Sequence, residues 1–140
     1  MNTSPEDFIH KILNGNHLPS GLVVQGPVNL GFLEKLCLTN FILPDNLTIL
    51  GYLFLEKCIY LTHLPSGLVV NGWLYLHGCD NLVNLPPDLN VSHKIYCNKK
   101  LIDTIPKEDL PLYLNFKFDE YDEANEYFSL RLKEIYEPPM

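Results

Sequence analysis

A tandem repeat of 21 residues constrains this chain more than any other feature. Residues 43–63 are LPDNLTILGYLFLEKCIYLTH, and residues 64–84 are LPSGLVVNGWLYLHGCDNLVN. Residues 85–104, LPPDLNVSHKIYCNKKLIDT, are a third copy one residue shorter. An earlier copy opens at Leu18-Pro19 and runs 25 residues to the next Leu-Pro, and a further start stands at Ile105-Pro106. Self-similarity at this period belongs to stacked units that contact mainly their neighbours. The expected fold is a mainly β repeat solenoid with 21-residue coils and capping helices at both ends. Such a fold exposes long regular faces, which favours binding over catalysis.

The two best copies show how one coil is built. Leu47 aligns with Leu68, Ile49 with Val70, Gly51 with Gly72, Leu53 and Leu55 with Leu74 and Leu76, Cys58 with Cys79, and Leu61 with Leu82. Leu47-Thr48-Ile49 and Leu53-Phe54-Leu55 alternate as half-buried strands do. Gly51 and Gly72 lie between the two strands, where a bend or bulge suits a residue without Cβ. Proline fixes φ and keeps its predecessor extended, so each Leu-Pro turns the corner into the next coil. Aligned leucines should then point inward and stack about 4.8 Å apart. In the first copy Val28 and Leu30 take the inward strand positions and Leu33 the cysteine position, with Cys37 out of register. In the copy at Leu85, Ile95 and Cys97 take the strand positions.

The ends depart from the repeat. Ser4-Pro5-Glu6-Asp7 is a helix start, with serine at the N-cap, proline at N1 and acids in the first turn. Phe8, Ile9, Ile12 and Leu13 form one apolar face, and Gly15 ends the helix. Residues 1–17 are thus expected as an N-terminal cap and residues 18–106 as repeats. Leu112, Leu114, Phe116 and Phe118 alternate with Tyr113, Asn115 and Lys117, which predicts a last strand over residues 107–118. Residues 119–140 are expected as a C-terminal helical cap, with Tyr121, Ala124, Phe128, Leu132 and Ile135 on one face and Pro138-Pro139 as its stop. All 140 residues form one domain.

Composition narrows the function classes. The net charge of −7 is the wrong sign for direct nucleic-acid binding. No apolar window is long enough to span a membrane. The N-terminus carries acids where a signal peptide needs positive charge. A cytoplasmic protein is therefore expected, or one translocated into a host cell without a cleaved signal. Cys37, Cys58, Cys79 and Cys97 have no CxxC spacing and follow the repeat, so they are expected as buried thiols. Zinc at Cys79 and His77, or disulfides, are the alternatives. No cofactor is expected. No phosphate loop, HExxH or GxSxG is present, and no catalytic residue is assigned. A Cys79/His77 nucleophile pair is the one enzymatic alternative.

Leu50-x-x-Leu53-x-Leu55-x-x-Cys58-x-x-Leu61-x-x-Leu64-Pro65 is the string LxxLxLxxCxxLxxLP. It resembles the leucine-rich-repeat family, and the Leu-Pro opening and short period are most similar to the repeats of bacterial secreted effector proteins. The resemblance covers residues 18–106. Asn71 departs from it where a leucine is usual, and cysteine replaces the usual ladder asparagine. The resemblance implies a curved solenoid that binds a protein partner on its strand face.

Strand alternation places Asn29, Phe54, Tyr75 and Tyr96 in one outward row, and Pro27, Tyr52, Trp73 and Lys94 in another. Tyr52, Phe54, Trp73, Tyr75 and Tyr96 then form a contiguous aromatic patch, with Glu56 and His77 at its rim. Grouped exposed aromatics mark interaction sites, and Tyr and Trp often dominate binding energy. The bland alternative is cross-strand pairing that only stabilises the sheet. A second candidate is the acidic run Asp119, Glu120, Asp122, Glu123 and Glu126, either a favourable helix N-terminus or a lure for a basic surface. The leading expectation is an effector-type adaptor or inhibitor docking a protein on the aromatic face, as a monomer or homodimer. The alternative is a small phage or mobile-element inhibitor of a host defence nuclease or CRISPR complex, occluding a nucleic-acid site with its acidic end.

Overall fold

The chain winds as a parallel β-solenoid in the computed structural model, which describes residues 1–31, 41–119 and 123–136. Strand β1 (Asn2–Thr3) precedes helix α1 (Pro5–Leu13). Each coil then contributes two two-residue strands: β2 (Val23–Val24) and β3 (Val28–Asn29), β4 (Thr48–Ile49) and β5 (Leu53–Phe54), β6 (Val69–Val70) and β7 (Leu74–Tyr75), β8 (Asn90–Val91) and β9 (Ile95–Tyr96). Helix α2 (Lys99–Asp103), a 3-10 helix (Lys107–Tyr113) and helix α3 (Ala124–Tyr136) follow.

Every strand pairs in parallel with its equivalent one coil away. The first sheet has the order β1-β2-β4-β6-β8 and the second β3-β5-β7-β9. The pairing Leu53↔Leu74↔Ile95 keeps the 21-residue spacing, so the repeat aligned in the sequence is the repeat of the coil. Leu47, Ile49, Leu53, Leu55, Leu68, Val70, Leu74 and Leu76 are buried in one continuous core. Leu50, in the leucine-rich string but between the strands, is 44 % exposed. Leu33 and Cys37 lie outside the described residues. Cys58, Cys79 and Cys97 are buried in the core.

The corners after the Leu-Pro pairs at 18, 43 and 64 use one left-handed position. Gly21 (φ 81°), Asn46 (φ 56°) and Gly67 (φ 70°) occupy it in successive coils, and Gly and Asn are the residues that tolerate this conformation. Backbone bonds Gly21 N–H to Asp45 O and Asn46 N–H to Ser66 O, 3.1 and 2.8 Å, tie these corners from coil to coil. The glycines between the two strands serve a different need from the expected bulge. A Cβ on Gly51 would lie 2.7 Å from Pro27 N, and one on Gly72 would lie 2.8 Å from the Gly51 carbonyl carbon. Here successive backbones approach too closely for any side chain.

The N-terminal cap is as expected. Ser4 Oγ accepts the Asp7 N–H at 3.1 Å, Phe8 and Ile12 are buried against the first coil, and Gly15 follows the helix at φ 69°. Two elements carried no sequence signal: β1, too short and polar to show alternation, and α2, which buries Leu101 and Ile102.

The expected last strand is not formed. Residues 107–113 wind into the 3-10 helix, Leu112 and Leu114 are 58 % and 55 % exposed, and Tyr113 is fully buried. Only Phe118 bridges in parallel to Ile95. Pro111 lies inside that segment and has no N–H to give to a ladder, which favours the 3-10 turn over a strand. The C-terminal helix also starts later than expected, at Ala124 rather than Asp119. Its Ala124 and Phe128 are buried, and Leu132 and Ile135 pack on the core. Arg131 Nη1 donates to Ile102 O at 2.6 Å and Tyr127 O–H to Asp103 Oδ1 at 2.6 Å, docking α3 on α2. Among the described residues, no helix is long and apolar enough to cross a membrane.

Candidate functional site

The second sheet carries the aromatic residues in register. Its core face is Val28, Leu53, Leu74 and Ile95, all buried. Strand alternation sends the next residue of each pair outward, and the ladder sets Asn29, Phe54, Tyr75 and Tyr96 on consecutive rungs. Parallel in-register pairing puts like positions side by side, so the rings stack. Phe54 and Tyr75 have centroids 3.9 Å apart and planes within 5°. Tyr75 and Tyr96 are 4.5 Å apart and within 15°. Each such pair contributes about 0.5–1.5 kcal/mol beyond its buried area. All three rings remain half-buried, with the stack open along its outer side.

The second row flanks the stack. Tyr52 meets Phe54 edge to face at 5.1 Å. Trp73, on the next rung, is 42 % exposed and packs at 4.9 Å against the His93 ring, a contact the sequence reading missed. Lys94 follows on the rung after that, exposed. The sheet thus brings together all five aromatic residues singled out from the sequence.

The rim residues occupy a third row. Leu55 N–H bonds Tyr75 O at 2.9 Å and Lys57 N–H bonds His77 O at 2.8 Å, which sets Glu56 beside His77 on adjacent rungs. His77 meets Tyr96 edge to face at 6.4 Å. Glu56, Lys57, Tyr75, His77, Gly78 and Tyr96 line one cleft of about 360 Å³. Lys57 and Gly78 belong to it because both take left-handed turns, φ 60° and 79°, after the strands. Burial raises the Tyr75 phenol pKa, and the neighbouring Tyr96 and the carboxylates of Glu56 and Asp119 raise it further.

The acidic run is divided. The Phe118 bridge to Ile95 places Asp119 one rung beyond Tyr96, half-buried, with its N–H on Ile95 O at 2.9 Å. Asp119 therefore extends the aromatic row rather than opening the helix. Glu123 precedes the helix, and Lys99 Nζ lies 3.4 Å from its carboxylate. Glu126 is exposed in the first turn. Glu120 and Asp122 lie outside the described residues.

The thiols face the core. Cys79 is 8 % exposed and donates from Sγ to Leu55 O at 2.8 Å, a bond from one coil to the preceding one. The Cys58 thiol beside it lowers the Cys79 pKa, against burial, which raises it. His77 lies on the outer face, so the two members of the Cys79/His77 pair serve different surfaces. Among the described residues, no group of three or more His, Cys, Asp or Glu is placed to hold a metal ion.

Comparison of the chain with protein-family models, with curated proteins and with solved structures finds no match.

Proposed function

We propose that this chain is a protein-recognition module, leucine-rich-repeat-like in its architecture and acting as an effector-type adaptor or inhibitor. It docks its target on the face built by Tyr52, Phe54, Trp73, Tyr75 and Tyr96, with Glu56 giving a polar contact at the edge and His77 bordering the cleft there with its ring nitrogens turned inward. The observation that carries this reading is the register-held stack Phe54–Tyr75–Tyr96 beside a 42 % exposed Trp73. A stack locked by the backbone ladder loses little side-chain entropy on binding, which is the main reason rigid aromatic surfaces bind well. Glu56 and Asp119 place negative charge on either side of Tyr75, consistent with the net charge of −7.

The reading is tested by capture from bacterial and eukaryotic lysates with wild type and with a Phe54→Ser/Tyr75→Ser double variant of unchanged circular dichroism. The expected result is a partner retained by wild type in about 0.5 M salt, where charge effects are largely screened, and lost by the variant. A partner held equally by both proteins, and released by salt, would instead favour the nuclease-inhibitor reading through Glu123 and Glu126.

A further inference from the structure

The first sheet ends unfinished at its C-terminal edge. In it, each coil donates backward: Thr48 N–H to Leu22 O at 2.9 Å, Val69 N–H to Leu47 O at 2.9 Å, and Asn90 N–H to Leu68 O at 3.0 Å. Leu50, Asn71 and Ser92 donate in the same sense to Val24, Ile49 and Val70, at 2.9, 2.9 and 3.0 Å. The next acceptors in this series are the carbonyls of Leu89 and Val91. The chain that follows does not supply the donors, because residues 107–113 have left the sheet as a 3-10 helix. Among the described residues, none donates to either carbonyl.

Beside that edge is a cleft of about 240 Å³, walled on one side by β8 and on the other by the segment leaving the 3-10 helix. Val91, Leu112 and Phe116 give it an apolar patch within a lining that is otherwise mostly polar, Asn90 and Asn115 included, and Lys117 is its one charged lining residue. Val91 stands on the rung that follows the buried Val24, Ile49 and Val70, so the next inward side chain of the series would pack on it.

We infer that this cleft binds an extended segment of a protein partner, which pairs in parallel with β8 as a further rung of the first sheet. The segment donates two backbone N–H groups to Leu89 O and Val91 O, points an aliphatic side chain between Val91 and Phe116, and brings a carboxylate to Lys117. Strand addition of this kind draws affinity from the main chain and selectivity from alternate side chains. The complementarity is that of the ladder itself: the edge offers acceptors in register, a hydrophobic socket for the middle residue and one cation. A second copy of this chain does not fit. Its β1 is only Asn2–Thr3 before α1 begins at Pro5, so it offers neither an aliphatic side chain for the socket nor a carboxylate for Lys117. This surface lies on the other sheet from the aromatic face, so the inference stands independently of the function proposed above.

The test uses the full chain, isotope-labelled, and a library of acetylated, amidated hexapeptides that alternate threonine with valine, isoleucine or leucine and carry aspartate at each position in turn. The expected result is saturable binding by a subset, with amide shifts confined to residues 89–92 and 112–117 and slower exchange of the Val91 amide. Methylating one paired peptide nitrogen should weaken binding about five- to tenfold. Lys117→Glu, an exposed substitution whose folding is checked by circular dichroism, should reverse the preference from aspartate to lysine peptides. The inference is overturned if no member saturates, if shifts fall on Tyr75 and Tyr96 instead, or if the methylated peptide binds as well as its parent.

Discussion

Gly72 is a residue at which the coil spacing is tightly set. Its Cα faces the Gly51 carbonyl carbon and oxygen and Tyr52 N, so that an added Cβ would stand within 2.8–2.9 Å of all three. These are backbone atoms of the preceding coil and cannot swing aside. Gly72→Ala should therefore force the two coils apart and cost about 1–3 kcal/mol. The shift would be read from the urea midpoint, with Asn71→Ala, at the exposed neighbouring position, as the control. Tyr113 is a residue of the opposite kind. It alternates with the apolar residues of the expected last strand, yet its phenol is buried, its O–H donating to Leu85 O and lying 3.2 Å from Asn84 Oδ1. Burial raises its pKa, and the charge of Asp109 raises it further. The folded state thus favours the neutral phenol, whose contribution is intact below the unfolded value of about 10 and is lost as pH rises through the folded value. Tyr113→Phe should cost about 1–2 kcal/mol at neutral pH by leaving the carbonyl without its donor. That difference should shrink above about pH 10, as measured by urea unfolding of both proteins across the alkaline range.

At the scale of elements, the two ends close the solenoid by different means. Helix α1 follows β1 directly and sets Phe8 and Ile12 on the open core of the first coil. Its signals were local: a serine cap, a proline, acids in the first turn and four apolar residues at helical spacing. The C-terminal end depends on contacts made across the chain. Helix α3 has only a weak apolar face and is held by Phe128, by Arg131 on Ile102 O and by Tyr127 on Asp103. Phe8→Ala should cost about 3–5 kcal/mol. In a stacked fold that loss should concentrate next to the cap. Hydrogen exchange should then show lost protection at the Val23 and Gln25 amides, while Asn90 and Ser92 keep theirs. Uniform loss along the solenoid would show that the coils unfold as one unit instead.

The whole molecule divides into what the repeat dictates and what only its stacking decides. Leucines at a 21-residue period, Leu-Pro corners and two alternating segments per copy determined a parallel solenoid, because no other arrangement buries every copy's apolar face against its neighbour's. The same alternation identified the outward aromatic rows, since side-chain direction in a strand depends only on the period of two. How those rings meet was not legible: stacking at 3.9 and 4.5 Å follows from the parallel, in-register ladder, which no single copy encodes. The end of the repeat was misread for a related reason. Residues 112–118 alternate like a strand, but a strand exists only where a neighbour can pair with it, and after the 3-10 helix of residues 107–113 the segment reaches the sheet at the Phe118 bridge to Ile95. Local pattern thus determined the coil and its outward rows. The inter-coil hydrogen bonds decided where the sheets stop, and therefore where the chain leaves an unpaired edge.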